Sequence, residues 1–413
     1  MTTRPVRQVL PLVGGTRPDD VARLHRALVD AAARPGPLLL PVAPGEDPAG
    51  TLALIEEAAR PDLAERADVL LRTSGSTTGT GSLIAMSAGA LLASAHATHA
   101  RLGGPGAWVL ALPAHHVAGL QVLLRSVVAG TRPLVLDTSD GFDPEALADL
   151  LQGARAPGDG GPRLYLSLVP TQLRRCLDSP RASSALARCA TVLVGGAATG
   201  ADLLARARGC GVPVVTTYGM SETGGGCVYD GVALDGVGVR IEDPDADGTG
   251  RVVLTGPVLA EGHLLAPAGT TTSFRPASGG APRAVVTADR GRLESGRLTV
   301  LGRLDDVIVT GGVKVEPREV EEVMTRLPGV AQACVVGVPD EQWGSAVVAV
   351  VVAHDGQQVE AGALRAAARA RLDGAHAPKE VVVVGSLPER GPGKTDRRAV
   401  ARLAAGARAG GER

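Results

Sequence analysis

Aromatic residues are nearly absent: the chain has two Trp, three Tyr and two Phe in 413 residues, 2% of the total. A surface that grips single-stranded nucleic acid by stacking bases on rings needs more of them. A net charge of −1 offers no general attraction to polyanions either. Lysine is scarcer still, present only at 314, 379 and 394, so arginine carries nearly all the positive charge. Cysteine occurs at 176, 189, 210, 227 and 334, an odd set without C-x-x-C spacing, which argues against a zinc site or a disulfide framework. No apolar run approaches the roughly 18 residues that a membrane-crossing helix takes, and the N-terminus lacks the apolar centre of a signal peptide. The expectation is a cytoplasmic protein with no nucleic-acid partner and no integral membrane association.

What is present is ordinary globular material, 45% hydrophobic and 21% charged, in a length that suits two or three domains. Helical periodicity covers residues 19–33, 88–102, 117–128, 144–151 and 201–208. Between these lie short apolar runs at 37–40, 108–112, 134–136, 165–169, 191–194 and 212–216. That alternation predicts an α/β fold, a helix-covered and mostly parallel sheet whose ligands sit beyond the carboxyl ends of the strands. From about residue 237 short strands and turns take over, and the Gly/Pro/Ala/Thr-rich stretch Ala266–Pro282 reads as a disordered or variable loop. From Arg297 a small α+β domain begins, with a helix from Pro317 to Leu327 and strands near 333–338, 346–352 and 381–384. The tail Ala404–Arg413 is expected to fray.

Four stretches carry chemistry. The first, Thr73 to Ser82, consists wholly of Gly, Ser and Thr between two apolar runs. It reads either as a phosphate cradle of backbone N–H groups and hydroxyls or as a flexible linker. The second, Thr217-Tyr218-Gly219-Met220-Ser221-Glu222-Thr223, follows an apolar strand. Its ring could stack on a base and its carboxylate could hold Mg2+, or it could be a turn around a core tyrosine. The third, Gly302-Arg303-Leu304-Asp305-Asp306, reads as a hinge beside a polyol site or as a charged interdomain turn. The fourth, Gly391-Pro392-Gly393-Lys394-Thr395, presents one of the rare lysines, or is a basic tail.

Taken together, in this order and spacing, the four resemble the signatures of the acyl-adenylate-forming superfamily over residues 68–400. The resemblance implies a large N-terminal adenylation domain, 1–304, and a small mobile C-terminal lid, 305–413. It implies ATP, Mg2+ and coenzyme A as ligands beside a small carboxylic acid. Thr73, Ser74, Ser76, Thr77 and Gly79 would then cradle phosphates. Gly195, Gly196 and Ala197 would form the adenine-side turn, Tyr218 would stack on adenine, and Asp289 and Arg303 would meet the ribose hydroxyls. Ser221 would contact the α-phosphate, Glu222 would hold the metal, Lys394 would serve catalysis and Asp305 would be the hinge. Within the family, Leu112-Pro113-Ala114-His115-His116-Val117-Ala118-Gly119 is similar to the 2-succinylbenzoate–CoA ligases of menaquinone biosynthesis. By that likeness His116 and Gly219 line the acyl pocket, although His116 also fits a helix cap. Arg125 and Arg174 are candidates for a second substrate carboxylate on charge alone, and a homodimer stays open.

The chain departs from the family at one point. Gly79-Thr80 runs into Gly81-Ser82, where relatives continue Gly-x-Pro-Lys, so the loop itself brings no cation. Four other readings compete. A Walker ATPase lacks its loop lysine, and a serine hydrolase built on Ser221 lacks the closing elbow glycine, while the suggestive histidines, His115 and His116, precede the serine instead of following it. A non-catalytic nucleotide-binding protein, or a synthetase for another aryl or fatty acid, stays open.

Overall fold

A computed structural model describes residues 7–57, 60–73, 81–154, 160–266, 270–354, 356–389 and 394–411. The chain divides into two compact units. The larger comprises residues 1–240, 253–287 and 294–298, and the smaller comprises 241–252, 288–293 and 299–413.

The larger unit holds two sheets. In one, strands Val9–Val13, Leu38–Val42 and Val69–Arg72 run parallel. Leu83–Met86 then returns antiparallel, and Gly262–Leu265 pairs antiparallel at its far side. The hairpin between Val69–Arg72 and Leu83–Met86 carries the Gly/Ser/Thr stretch as its loop. In the other sheet, Leu134–Val135, Ala107–Leu110, Leu164–Leu168, Thr191–Val194 and Val214–Met220 are parallel neighbours in that order. Gly225–Tyr229 folds back antiparallel on the last of them. Strands covered on both faces read as unbroken apolar runs, and Leu38–Val42 and Leu164–Leu168 are buried at every residue. Between the sheets, helices Pro18–Ala33, Ala88–Arg101 and Val117–Ala129 bring Leu24, Leu91 and Leu120 into one core with Trp108 and Tyr165. Their ends follow local chemistry: the Ser87 hydroxyl accepts the Ala90 N–H, and Gly130 closes the third helix at φ 65°.

The smaller unit is built on strands Val330–Asp340 and Gly344–Ala353, antiparallel, with Glu380–Val384 parallel to the second. Alternation sorts their side chains onto two faces. Val335, Val347, Ala349 and Val351 meet helices Pro317–Thr325 and Ala361–Arg369, while Cys334, Val336, Val348 and Val350 meet Val400 and Ala404 of helix Arg397–Gly411.

Two local expectations are corrected. The tail is helical to Gly411, because Val400 and Ala404, one helical turn apart, are fully buried, and because Arg408 holds Asp340 at 2.7 Å. The expected loop Ala266–Pro282 contains a strand, Ser273–Arg275, paired antiparallel to Ala284–Val286. Four of the five thiols are buried, and burial pushes each of these up to about 12, out of reach of ordinary redox or metal chemistry. Among the described residues no helix is long and apolar enough to cross a membrane.

Candidate active site

The centre of the larger unit's site is a sharp reversal. Strand Val214–Met220 carries Tyr218 and Gly219, a single 3-10 turn carries Ser221, Glu222 and Thr223, and Gly225–Tyr229 returns alongside. The strands approach so closely that a Cβ on Gly219 would lie 2.1 Å from the Gly225 carbonyl oxygen, so nothing but glycine fits there. Fully buried Thr223 closes the turn. Its hydroxyl accepts the Met220 N–H at 2.9 Å and donates to the Gly225 carbonyl at 2.7 Å. From the helix behind, Gln121 donates to the Gly224 carbonyl at 2.7 Å. Thr223 ends the second stretch read from the sequence, but neither it nor Gln121 nor Gly225 was given a role there; for Gly225 the run Gly224-Gly225-Gly226 was the signal available.

Beside the reversal, strand Thr191–Val194 ends level with Thr216, and Gly195 packs against the Thr217 side chain. The Gly195-Gly196-Ala197 turn therefore stands next to Tyr218 at the carboxyl ends of parallel strands, where open α/β sheets present ligands. Gly196 and Ala197 are exposed and Tyr218 is half-buried.

The hairpin loop is pinned at its neck. Thr73 N–H donates to the Ser82 carbonyl and Ser82 N–H donates to the Thr73 hydroxyl, both at 2.8 Å. Gly81 takes φ 60°, a conformation closed to proline, which fits the departure from the family's Pro-Lys at this place. Ser74, Ser76, Thr77 and Gly79 lie outside the described residues.

Glu222 sits at the turn with a nearly buried carboxylate. Its Oε1 accepts from His263 Nε2 at 3.3 Å, and the two side chains are 9% and 11% exposed. Among the described residues no arginine or lysine pairs with it. A hard oxygen donor with one partner and no cation suits Mg2+, which commonly takes one or two protein carboxylates and completes its shell with phosphates and water. In keeping with that, no cluster of three or more His, Cys, Asp or Glu among the described residues could enclose a metal alone.

His116 occupies the N-cap position of helix Val117–Ala129, but its side chain makes no capping bond. Its ring lies 4.3 Å from that of His115, whose Nδ1 contacts the Gly14 carbonyl at 3.0 Å. Burial pushes His115 below its ordinary value, against the Gly14 bond and the charge of Glu46. Arg125 is fully enclosed, 4.7 Å above the Trp108 ring, donating to Tyr229 Oη at 3.2 Å and Ser167 Oγ at 3.4 Å. Burial presses its pKa down, with Tyr229 opposing. Arg174 is likewise lowered by burial, with Asp178 opposing.

In the smaller unit, Arg303 grips both oxygens of Asp305 at 2.8 Å, and its Nη1 lies 3.9 Å from Asp289. Burial opposes the Arg303 charge, but bonding to Asp305 and the field of Asp289 outweigh it. Lys394 is exposed and begins the segment leading into helix Arg397–Gly411. Three residues on, Arg397 bridges Glu321 and, at 3.4 Å, Asp306, and it donates to the Val335 carbonyl at 2.8 Å. The structure thus gathers Tyr218, Gly219, Ser221, Glu222 and Gly195–Ala197 within one unit. It gathers Asp289, Arg303 and Asp305 within the other.

Residues 23–264 match the family described as AMP-binding enzyme, and residues 319–394 match the AMP-binding enzyme C-terminal domain. A probable 2-succinylbenzoate–CoA ligase of Mycobacterium tuberculosis H37Rv is 44% identical over 341 residues, 82% of this chain and 85% of that one. The structure of o-succinylbenzoate coenzyme A synthetase (MenE) from Bacillus subtilis in complex with AMP is 26% identical, with a TM-score of 0.65 over 80% of this chain and 68% of that one. A second structure of the B. subtilis enzyme, in complex with ATP and magnesium ion, shares the fold at TM-score 0.74 and 23% identity, covering 97% of this chain and 90% of that one.

Proposed function

The chain belongs to the AMP-binding enzyme family, and on that premise we propose that its acid substrate is 2-succinylbenzoate, joined to coenzyme A through an acyl-adenylate. It is an AMP-forming acid–thiol ligase. The observation that carries the mechanistic reading is the reversal that sets Tyr218, Gly219, Ser221 and Glu222 beside Gly195–Ala197 at the ends of parallel strands. What favours the substrate is the extent of likeness to the mycobacterial relative, together with the His115-His116 pair at the head of its helix.

In the first half-reaction a substrate carboxylate oxygen attacks the α-phosphorus of ATP, the bond to the β-phosphate oxygen breaks, and pyrophosphate leaves. Such chemistry rests on alignment and charge compensation more than on covalent help from side chains. Tyr218 and the Gly195–Ala197 turn would hold the adenine, Asp289 and Arg303 the ribose, and Thr73 with the rest of the hairpin loop the phosphates. The Ser221 hydroxyl would contact the α-phosphate, and Glu222 would hold Mg2+, which supplies positive charge against the phosphate oxygens. With no cation in the hairpin loop, Lys394 is the side chain assigned to the negative charge between carboxylate and α-phosphate. In the second half-reaction the CoA sulfur attacks the acyl carbon, the bond to the phosphate oxygen breaks, and AMP leaves. Residues 305–413 would turn about Asp305 between the two steps, and His116 and Gly219 would line the acyl pocket.

Pyrophosphate release with Mg·ATP, CoA and a panel of acids tests the substrate. The expected order places 2-succinylbenzoate far above benzoate and fatty acids. Turnover of a fatty acid with none of 2-succinylbenzoate would keep the family and reject the substrate.

A further inference from the structure

Glu222 is clamped from one short segment at two points. The N–H of Ala260 donates to its backbone carbonyl at 2.9 Å, and three residues later the His263 imidazole meets its side chain. That segment is also tied to the phosphate hairpin: Glu261 N–H donates to the Ala85 carbonyl at 2.7 Å, and His263 pairs with Ile84 on the strand that leaves the loop. The pairing register shifts immediately after His263, the kind of irregularity that re-aims a side chain. Phe274 stands edge-on to the imidazole, at 5.1 Å and 73°, and sets the plane of the ring.

We infer that His263 is a positioning residue that holds the Glu222 carboxylate in the orientation from which it binds the metal of Mg·ATP, an inference that rests on the metal role proposed for Glu222. An ionised carboxylate only accepts, so the proton of the imidazole sits on Nε2 and is donated to Oε1. Oε2 is thereby left for a hard cation. Partners that orient a ligating carboxylate commonly change metal affinity 10–100-fold when removed. Because His263 pairs with Ile84, the same residue ties the carboxylate to strand Leu83–Met86.

The test uses the full chain and Mn2+ as probe, its binding followed by electron paramagnetic resonance with a non-hydrolysable ATP analogue. His263→Phe removes the donor and keeps a ring against Phe274; it should weaken Mn2+ binding about tenfold. His263→Gln places an amide N–H near the position of Nε2 and should restore affinity to within about threefold of the unaltered protein, since the donor, not the ring, sets the effect. His263→Asn, whose amide falls short of Glu222, replaces the Phe variant should that one fold poorly. Wild-type affinity in the donorless variants, or equal weakening in His263→Phe and His263→Gln, overturns the inference. Glu222→Gln separates it from its premise. Unchanged Mn2+ binding there overturns the metal role and this inference with it. Loss in Glu222→Gln without loss in His263→Phe overturns the positioning role alone.

Discussion

In the larger unit the reversal from Met220 to Gly225 is held by backbone fit. Glycines meet where no Cβ has room, a threonine is spent on its own turn, and Gln121 braces from behind. In the smaller unit the candidate residues are held by charge: Arg303 on Asp305, and Arg397 on Asp306 and Glu321. Steric closure admits one geometry, and its failure is abrupt. Ion pairs at partly exposed positions can exchange partners for a modest cost. A nucleotide platform benefits from the first kind of construction. On the proposed mechanism, a segment that presents Lys394 in one half-reaction and withdraws it in the other would benefit from the second.

The largest effect should come from the charge-held side. Lys394→Ala is expected to slow adenylation at least roughly 10²-fold, as losing one preorganised donor does, while thioester formation from supplied acyl-adenylate stays near the wild-type rate. Equal loss in both half-reactions, read by pyrophosphate release and by thioester yield, would dissolve the division of labour. On the sterically held side, Gly219→Ala must push the strands apart and should cost about 1–3 kcal/mol. The urea midpoint of the larger unit, followed by Trp108 fluorescence in a Trp343→Phe background, reads this out. A neutral result would mean that the close approach to Gly225 is dispensable.

The third prediction concerns pH. His99 is buried and accepts the Trp108 Nε1–H at 2.9 Å; burial, with help from Arg125 and His96, pushes it down to about 4 from the ordinary 6.5. Between those values the unfolded chain binds more protons at this site than the folded one. The stabilisation is therefore fully present above about pH 6.5 and is lost as pH falls toward 4, at up to about 1.4 kcal/mol per pH unit. His99→Gln keeps an acceptor for Trp108 and should flatten the fall in urea midpoint between pH 7 and pH 5; an unchanged slope would contradict the burial account. The smallest effect belongs to Asp305→Asn. Breaking its bridge to the partly exposed Arg303 should lower stability by less than about 1 kcal/mol, seen as a small change in thermal midpoint. A larger loss would make Asp305 a structural anchor and count against a hinge there.

Much of this was legible in the sequence, for particular reasons. The parallel strands announced themselves because burial on both faces leaves unbroken runs such as Leu164–Leu168. The Tyr218–Glu222 stretch stood out because tyrosine is rare here. The helix at the C-terminal end stayed hidden because Ala, Gly and Arg dominate it and its buried face rests on residues as small as Val400 and Ala404. His263 was invisible for a different cause: its partner Glu222 is 41 residues away, and strand pairing to Ile84 together with the Ala260–Glu222 backbone bond brings the two together. Arg125 could be named from charge, but its seat above Trp108 depends on packing between a helix and a sheet that no local pattern encodes.

The most direct test of the account omits CoA. The protein is mixed with Mg·ATP and 2-succinylbenzoate, quenched, and examined by mass spectrometry for the acyl-adenylate and for pyrophosphate. The account requires one 2-succinylbenzoyl-adenylate and one pyrophosphate per active site, the adenylate disappearing as AMP and thioester form when CoA is added. ADP in place of AMP, or no pyrophosphate from any carboxylic acid with or without CoA, would contradict it.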